Sequence, residues 1–231
     1  MRNRPSTPAA ARPTPTQAPR CRLLLASGSP RRRELVRWLG LPVRVQVPRV
    51  DETPRPGETP EAYVLRLARA KAAALRTAAG ADDIILAADT AVVFAQRILG
   101  KPRDEAEAAA MLQQLQGRAH GVLTGFALLW PAQGREHSQV VRAAVHMRLL
   151  SAEEIAAYIA TGDPLDKAGA YAAQNPVFRP VQAVEGCFAN VVGLPVCAVA
   201  QALAAWGCPP VRGMVPRCRA AFGYNCAIGI P

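Results

Sequence analysis

The chain has 231 residues, half of them hydrophobic, which suits one generous domain with a substantial core. Its formal net charge of +11 raises nucleic acid as a partner, but residues 1–20 hold four Arg and no acid, residues 208–231 three Arg and no acid, and the remaining 187 residues 21 bases and 17 acids, or +4. That distribution disfavours nucleic-acid binding by the body, and no run of 18 apolar residues offers a membrane span.

Residues 1–20 are rich in Pro, Ala, Thr and Arg and are expected to be a disordered tail. The body, 21–207, alternates strand and helix signals. A short strand at 22–26 precedes a helix opened by Ser29-Pro30 and closed by Gly40, then VRVQV reads as a second strand. Thr59-Pro60 opens a helix expected to run to about Ala78, with Val64, Leu67, Ala68, Ala74, Leu75 and Ala78 as its apolar stripe. DIILAADTAVVF is a long apolar strand ending in a turn at Ala95-Gln96. DEAEAAAMLQQLQG is a helix with capping-box spacing between Asp104 and Glu107. GVLTGFALLW and QVVRAAVHMRLL form a hairpin, and SAEEIAAYIATG is a helix with a Ser151/Glu154 capping box. The loop DPLDKAGAYAAQNP leads into VFRPVQAV, and Pro195 begins the last helix of the body. Residues 208–231 lack periodicity and acids and are expected to be an appended tail of unknown role. Six cysteines form no C-x-x-C pair, and the N-terminus has no apolar signal region, so reduced thiols in a cytoplasmic protein are expected. The class is α/β, a mixed twisted sheet with flanking helices.

Several residues break the local pattern. Arg31, Arg32 and Arg33 occupy the first turn of a helix, where the macrodipole disfavours cations by about 0.3–1 kcal/mol each. Asp89 interrupts an apolar strand, where a carboxylate costs several kcal/mol unless paired, hydrogen-bonded or bound to metal. Lys71 sits inside an apolar helix stripe; it either snorkels at the stripe edge or meets an anion in a cleft. Asp51-Glu52, Lys101 and Asp166-Lys167 lie in turns and are weaker signals alone. Together, misplaced cations (Arg31, Arg32, Lys71, Lys101, Lys167) and misplaced acids (Glu52, Asp89) suit a polyphosphate held with a divalent cation. Arginines at a helix start make sense if phosphate joins them there.

LASGSPRRREL, VDE, YVLRLARAKA, AADTAVV, ILGKPRDEAEAAAMLQQLQGRAHGVLTG, LDKAGAYAAQ and NVVGLP, in this order from about Arg22 to Trp206, resemble the Maf-like nucleoside triphosphate pyrophosphatases. The resemblance implies an elongated α/β fold with a central cleft, like that of inosine triphosphate pyrophosphatases, and often a homodimer. It implies cleavage of a nucleoside triphosphate to monophosphate and pyrophosphate with Mg²⁺ or Mn²⁺, in a house-cleaning role. Carried over by position, Asp89 is the general base and, with Glu52, a metal ligand, while Ser27, Arg32, Lys71 and Lys101 contact phosphate. Arg31, Thr90 and Gln174 match the specificity positions of the dTTP/UTP branch. A 7-methyl-GTP pyrophosphatase of the same family, or a non-catalytic division-associated binding protein, are the alternatives. The chain departs from the family at Ala172-Ala173, where Gly-Ile is usual, and at Asn175-Pro176, where a Gly follows the Gln; Pro176 stiffens the loop that presents Gln174.

Overall fold

The computed structural model describes residues 21–209 and 214–223, so the expected N-terminal tail lies outside the described residues. One mixed sheet runs in the order β2-β1-β3-β5-β6-β7, with the short β4 beside the end of β3. β1 (Arg22–Ala26) pairs in parallel with both β2 (Val43–Gln46) and β3 (Asp83–Phe94). β3 continues beyond β1 and pairs antiparallel with β4 (Arg97–Leu99) and β5 (Ala119–Trp130). β6 (Arg135–Met147) and β7 (Val181–Gly186) complete the sheet antiparallel. The two regimes explain why hairpin and crossover signals coexist in one chain.

Capping chemistry sets the helix starts. Ser29 caps α1 (Pro30–Arg37) and Thr59 caps α2 (Pro60–Ala73), each followed by Pro at the first position. α2 stops at Ala73, short of the expected Ala78, so Ala74 is exposed rather than part of the stripe, and a separate 3₁₀ turn covers Arg76–Ala78. Asp104 caps α3 (Glu105–Leu115), but the capping box is only half formed, because the Glu107 carboxylate takes the Arg103 N–H at 2.7 Å instead of returning to the cap. The Ser151/Glu154 box at α4 (Ala152–Ala160) is complete. Three further helices follow: α5 (Phe188–Val192), absent from the sequence reading, α6 (Val196–Ala205) and α7 (Met214–Phe222).

Period-two alternation along β3 sorts the core. Ile84, Leu86 and Ala88 face α1, α5 and α6, whereas Ile85 and Ala87 face Ala68, Ala72 and Leu75 on the α2 side. The far ends of β3, β5 and β6 pack against α3 and α4 through Val92, Val122, Val145, Leu112 and Ile155.

Two expectations are corrected near the C-terminus. The sequence after 207 shows no periodicity, yet it holds α7, which seats Cys218 in the core beside α1, α5 and α6 and places Phe222 against Trp38 and Phe188 at ring-centroid distances of 5.5 and 4.6 Å. Reduced thiols were expected throughout, yet Cys21 and Cys208 form a disulfide with their Cα atoms 5.9 Å apart. Their separation of 187 residues gives no spacing signal; only the return of α6 to the start of β1 brings them together.

Candidate active site

A cleft of about 960 Å³ opens across the end of β1, the middle of β3 and the loop that follows α4. Ser27, Arg31, Arg32, Glu52, Lys71, Asp89, Thr90, Lys101 and Gln174, drawn from six separate segments, all line it.

At its floor stands a charge triad. Asp89 continues the row of Ile85 and Ala87 on the α2 face of β3, and Lys71 lies in the buried stripe of α2 between Ala68 and Ala72. The two anomalies of the sequence therefore answer each other. Lys71 Nζ donates to Asp89 Oδ1 at 2.6 Å and pairs with Glu52 Oε1 at 2.7 Å. Lys71 and Asp89 are both buried, whereas the Glu52 side chain is 57% exposed at the rim. Tyr63, one turn into α2, donates its hydroxyl to the Glu52 carbonyl at 3.0 Å and fixes the turn that carries this carboxylate. Burial, aided by the Asp89 and Glu52 charges, pushes the Tyr63 hydroxyl up to about 12, so it stays a donor.

Close approach of α2 to the sheet makes this triad possible. Gly125 of β5 stands directly opposite Asp89, and a Cβ there would lie 2.6 Å from the Val64 backbone carbon and oxygen. Sequence reasoning passed over Gly125, although a glycine inside an apolar strand is the usual sign of a backbone approaching closely.

The opposite wall is built on Arg32. Its Nε donates to the Gly193 carbonyl at 2.8 Å and its Nη2 to Thr90 Oγ1 at 2.9 Å. Thr124 Oγ1 donates to the Asn190 carbonyl at 3.0 Å, so the 2.9 Å contact between the two threonines has Thr90 as donor. The Thr90 hydrogen is thus committed inside the protein, and the residue orients Arg32. Burial, the largest influence, holds the Arg32 guanidinium below the usual arginine range; Asp89 opposes it and Arg31 adds to it. An incoming anion relieves both disfavouring effects. Ser27 Oγ accepts the Ser29 N–H at 3.1 Å, which shapes the turn into α1 and leaves its hydroxyl proton for a ligand.

The cations do not all serve the same end. Lys101 is exposed and makes no ion pair with another described residue; its turn is tied down by the Gly169 N–H on the Gly100 carbonyl at 3.0 Å. Lys167 also lines the cleft, but its ammonium is spent inside its own loop, on the Asp163 carbonyl at 2.7 Å, Asp163 Oδ1 at 2.9 Å and Asp166 Oδ1 at 2.5 Å. It is a salt-bridged turn and not a cation held for phosphate. Gln174 is exposed at the rim, in the loop after Tyr171. Asp163, unremarked in the sequence, accepts the Tyr158 hydroxyl at 2.6 Å and the Asn175 amide at 3.2 Å.

The Maf-like protein family model matches residues 22–206, the span that supplies every side chain of this cleft. The chain belongs to the Maf family. Maf relatives named dTTP/UTP pyrophosphatase include one from Pelotomaculum thermopropionicum, 46% identical over 187 residues, covering 80% of this chain and 96% of the relative. Another, from Geotalea uraniireducens, is 47% identical over 185 residues and covers 80% and 95%. A third, from an Anaeromyxobacter species, is 49% identical over 191 residues and covers 81% and 91%. A solved nucleoside-triphosphatase/dITP/XTP pyrophosphatase from Mycobacterium abscessus aligns with 55% of this chain and 74% of its own at 23% identity and a TM-score of 0.38, too slight a likeness to bear on the fold or the chemistry. Both sulfurs of the disulfide, and all of α7, lie outside the Maf match.

Proposed function

We propose that this Maf-family protein hydrolyses dTTP and UTP to the nucleoside monophosphate and pyrophosphate, in a house-cleaning role. The observation that carries the reading is the Glu52–Lys71–Asp89 triad, reaching from the floor to the rim of a cleft that Arg31, Arg32 and Lys101 also line. A binding module has no need of a buried strand carboxylate wired to a buried lysine, whereas phosphoanhydride hydrolysis needs a base for water and cations for the leaving group. The dTTP/UTP pyrophosphatase activity for which relatives 46–49% identical over most of the chain are named supports the same substrates here.

In this reading Asp89 accepts the proton of the attacking water, and Lys71 orients its carboxylate through the 2.6 Å bond. Arg32, held by Gly193 and Thr90, contacts the triphosphate together with Ser27 at the start of α1, while Lys101 reaches it from the far rim. Arg31, Thr90 and Gln174 set substrate choice, Thr90 through Arg32 and Gln174 by offering an amide to the uracil-type ring edge.

Glu52 and Asp89 would hold a hard divalent cation: Lys71 takes one oxygen of each carboxylate, the other is left to the ion, and such cations prefer oxygen donors completed by water and substrate phosphate. Among the described residues no group of three or more His, Cys, Asp or Glu forms an all-protein cage, which suits Mg²⁺ or Mn²⁺ arriving with the nucleotide. When bound, the ion would neutralise charge on the phosphates. No helix among the described residues is long and apolar enough to cross a membrane; a homodimer in the cytoplasm, where nucleotides are handled, completes the proposal. A panel of dTTP, UTP, GTP and 7-methyl-GTP with Mg²⁺, read by pyrophosphate release, tests it. Preference for dTTP and UTP is expected; preference for 7-methyl-GTP would move the protein to the other branch.

A further inference from the structure

The loop that carries Gln174 is held by a set of contacts that centre on Asn175. Asn175 Nδ2 donates to Asp163 Oδ2 at 3.2 Å. Its Oδ1 accepts the N–H groups of Val177 at 3.0 Å and Phe178 at 2.8 Å, and its own N–H donates to the Ala172 carbonyl at 3.1 Å. One side chain thereby closes the turn after Gln174 and ties it to the segment beyond α4.

The partner is well chosen for the task. Burial pushes the Asp163 carboxyl up, but the Tyr158 hydroxyl, Lys167 and Asn175 outweigh it and hold it below the usual carboxylate range, so Asn175 donates to a charged acceptor. Upstream, the Ala172 N–H donates to the Tyr158 hydroxyl at 3.0 Å, and that ring stacks on Phe178 at a centroid distance of 3.9 Å. Gln174 is thus the exposed residue between two anchored ones: Ala172 on one side, Asn175 on the other. An amide that reads a ring edge must be held to within a fraction of an ångström, because a base-sized difference in hydrogen bonding is read only if the donor and acceptor are preorganised. Pro176 adds to this by fixing its own φ and disfavouring helical backbone at Asn175.

We propose that Asn175 is a positioning residue that determines specificity, setting the pose of Gln174 at the cleft rim by latching its loop to Asp163. The inference rests on the reading of Gln174 as the base-contacting residue.

The test is the ratio of kcat/KM for dTTP to that for GTP in the full chain, with melting temperature measured alongside. Asn175→Ala removes all three side-chain contacts of the latch and keeps the backbone bond to Ala172. Asn175→Asp keeps the acceptor for the Val177 and Phe178 N–H groups but sets a carboxylate against Asp163. Ile159→Val, one methyl removed from the core beside the same loop, serves as a control for stability alone. Both Asn175 variants are expected to lower the dTTP/GTP ratio by about tenfold or more through KM, with kcat on dTTP within about threefold of the parent. Ile159→Val is expected to lower the melting temperature and leave the ratio unchanged. A ratio unchanged in either Asn175 variant, or kcat lost equally on both nucleotides, overturns the proposal. If Asn175→Ala does not fold, Asn175→Asp decides alone. A parent protein without preference for dTTP would overturn the base-contacting reading of Gln174 and the proposal with it, whereas a selective parent with a selective Asn175→Asp overturns the proposal only.

Discussion

Replacing Asp89 by Asn separates the chemistry of the carboxylate from its place in the fold. The change is nearly isosteric, and the new side-chain oxygen can still accept from Lys71. What disappears is the charge 2.6 Å from a buried ammonium. Removing one partner of a buried ion pair commonly costs ~3–5 kcal/mol, because the other charge is left uncompensated. Lys71 is not left alone: Glu52 remains 2.7 Å away, although its exposure at the rim weakens that attraction by solvent screening. The expected loss is therefore smaller, about 1–3 kcal/mol, which for a domain of this size lowers Tm by roughly 3–10 °C. Turnover should fall much further, by ~10²–10⁴-fold, as for the loss of a positioned base. Differential scanning fluorimetry and pyrophosphate release on one preparation read both effects. Near-native turnover with Mg²⁺ present would refute the role of Asp89 as base. Failure to fold would show that the Lys71–Asp89 pair is chiefly structural.

Gly125→Ala should be destabilising by about 1–3 kcal/mol and also reduce turnover, since its Cβ would meet the Val64 backbone at 2.6 Å and push α2, with Lys71, off the sheet; full activity in a destabilised variant would break the link between helix approach and site. His120 is buried against the Tyr171 hydroxyl, and burial lowers it from 6.5 to about 4. Its neutral form is favoured in the folded state, so this stability is fully present above pH 6.5, falls as the unfolded chain takes up a proton, and is lost by pH 4, a change of about 3 kcal/mol. Urea melts at pH 7, 5.5 and 4 should show that decline, and His120→Gln should flatten it; an equal decline in the variant would assign the effect elsewhere. Reduction of Cys21–Cys208 should cost about 2–4 kcal/mol of stability, yet leave turnover below the melting range unchanged, since neither residue lines the cleft. Loss of activity at unchanged Tm would place the bond in the working of the site.

The parts of the fold that could be read in advance are those written locally. Ser29-Pro30, Thr59-Pro60 and the Ser151/Glu154 box each mark a helix start within four residues, and the alternation of β3 is continuous over its length. The Asp89–Lys71 pair of the candidate site was legible for a different reason: both residues are costly where they stand, and each needs a counter-charge that the local sequence does not supply. Hidden features depend on long-range meetings. Cys21 and Cys208 pair across 187 residues, Gly125 matters only because α2 crosses it, and Arg32 finds Gly193 from 161 positions away. Lys167 shows the converse: grouped with the misplaced cations, it has all three of its acceptor atoms on Asp163 and Asp166, within four residues, as in any salt-bridged turn. α7 was missed because its buried face is short, with Cys218 and Phe222 as its visible anchors.

The central claim is that the Asp89 cleft breaks the bond between the first and second phosphates. Phosphorus NMR of the purified protein with dTTP and Mg²⁺ reads this directly. The expected products are dTMP and pyrophosphate in equal amounts, with nothing formed when EDTA is present. Formation of dTDP and orthophosphate would contradict the assignment.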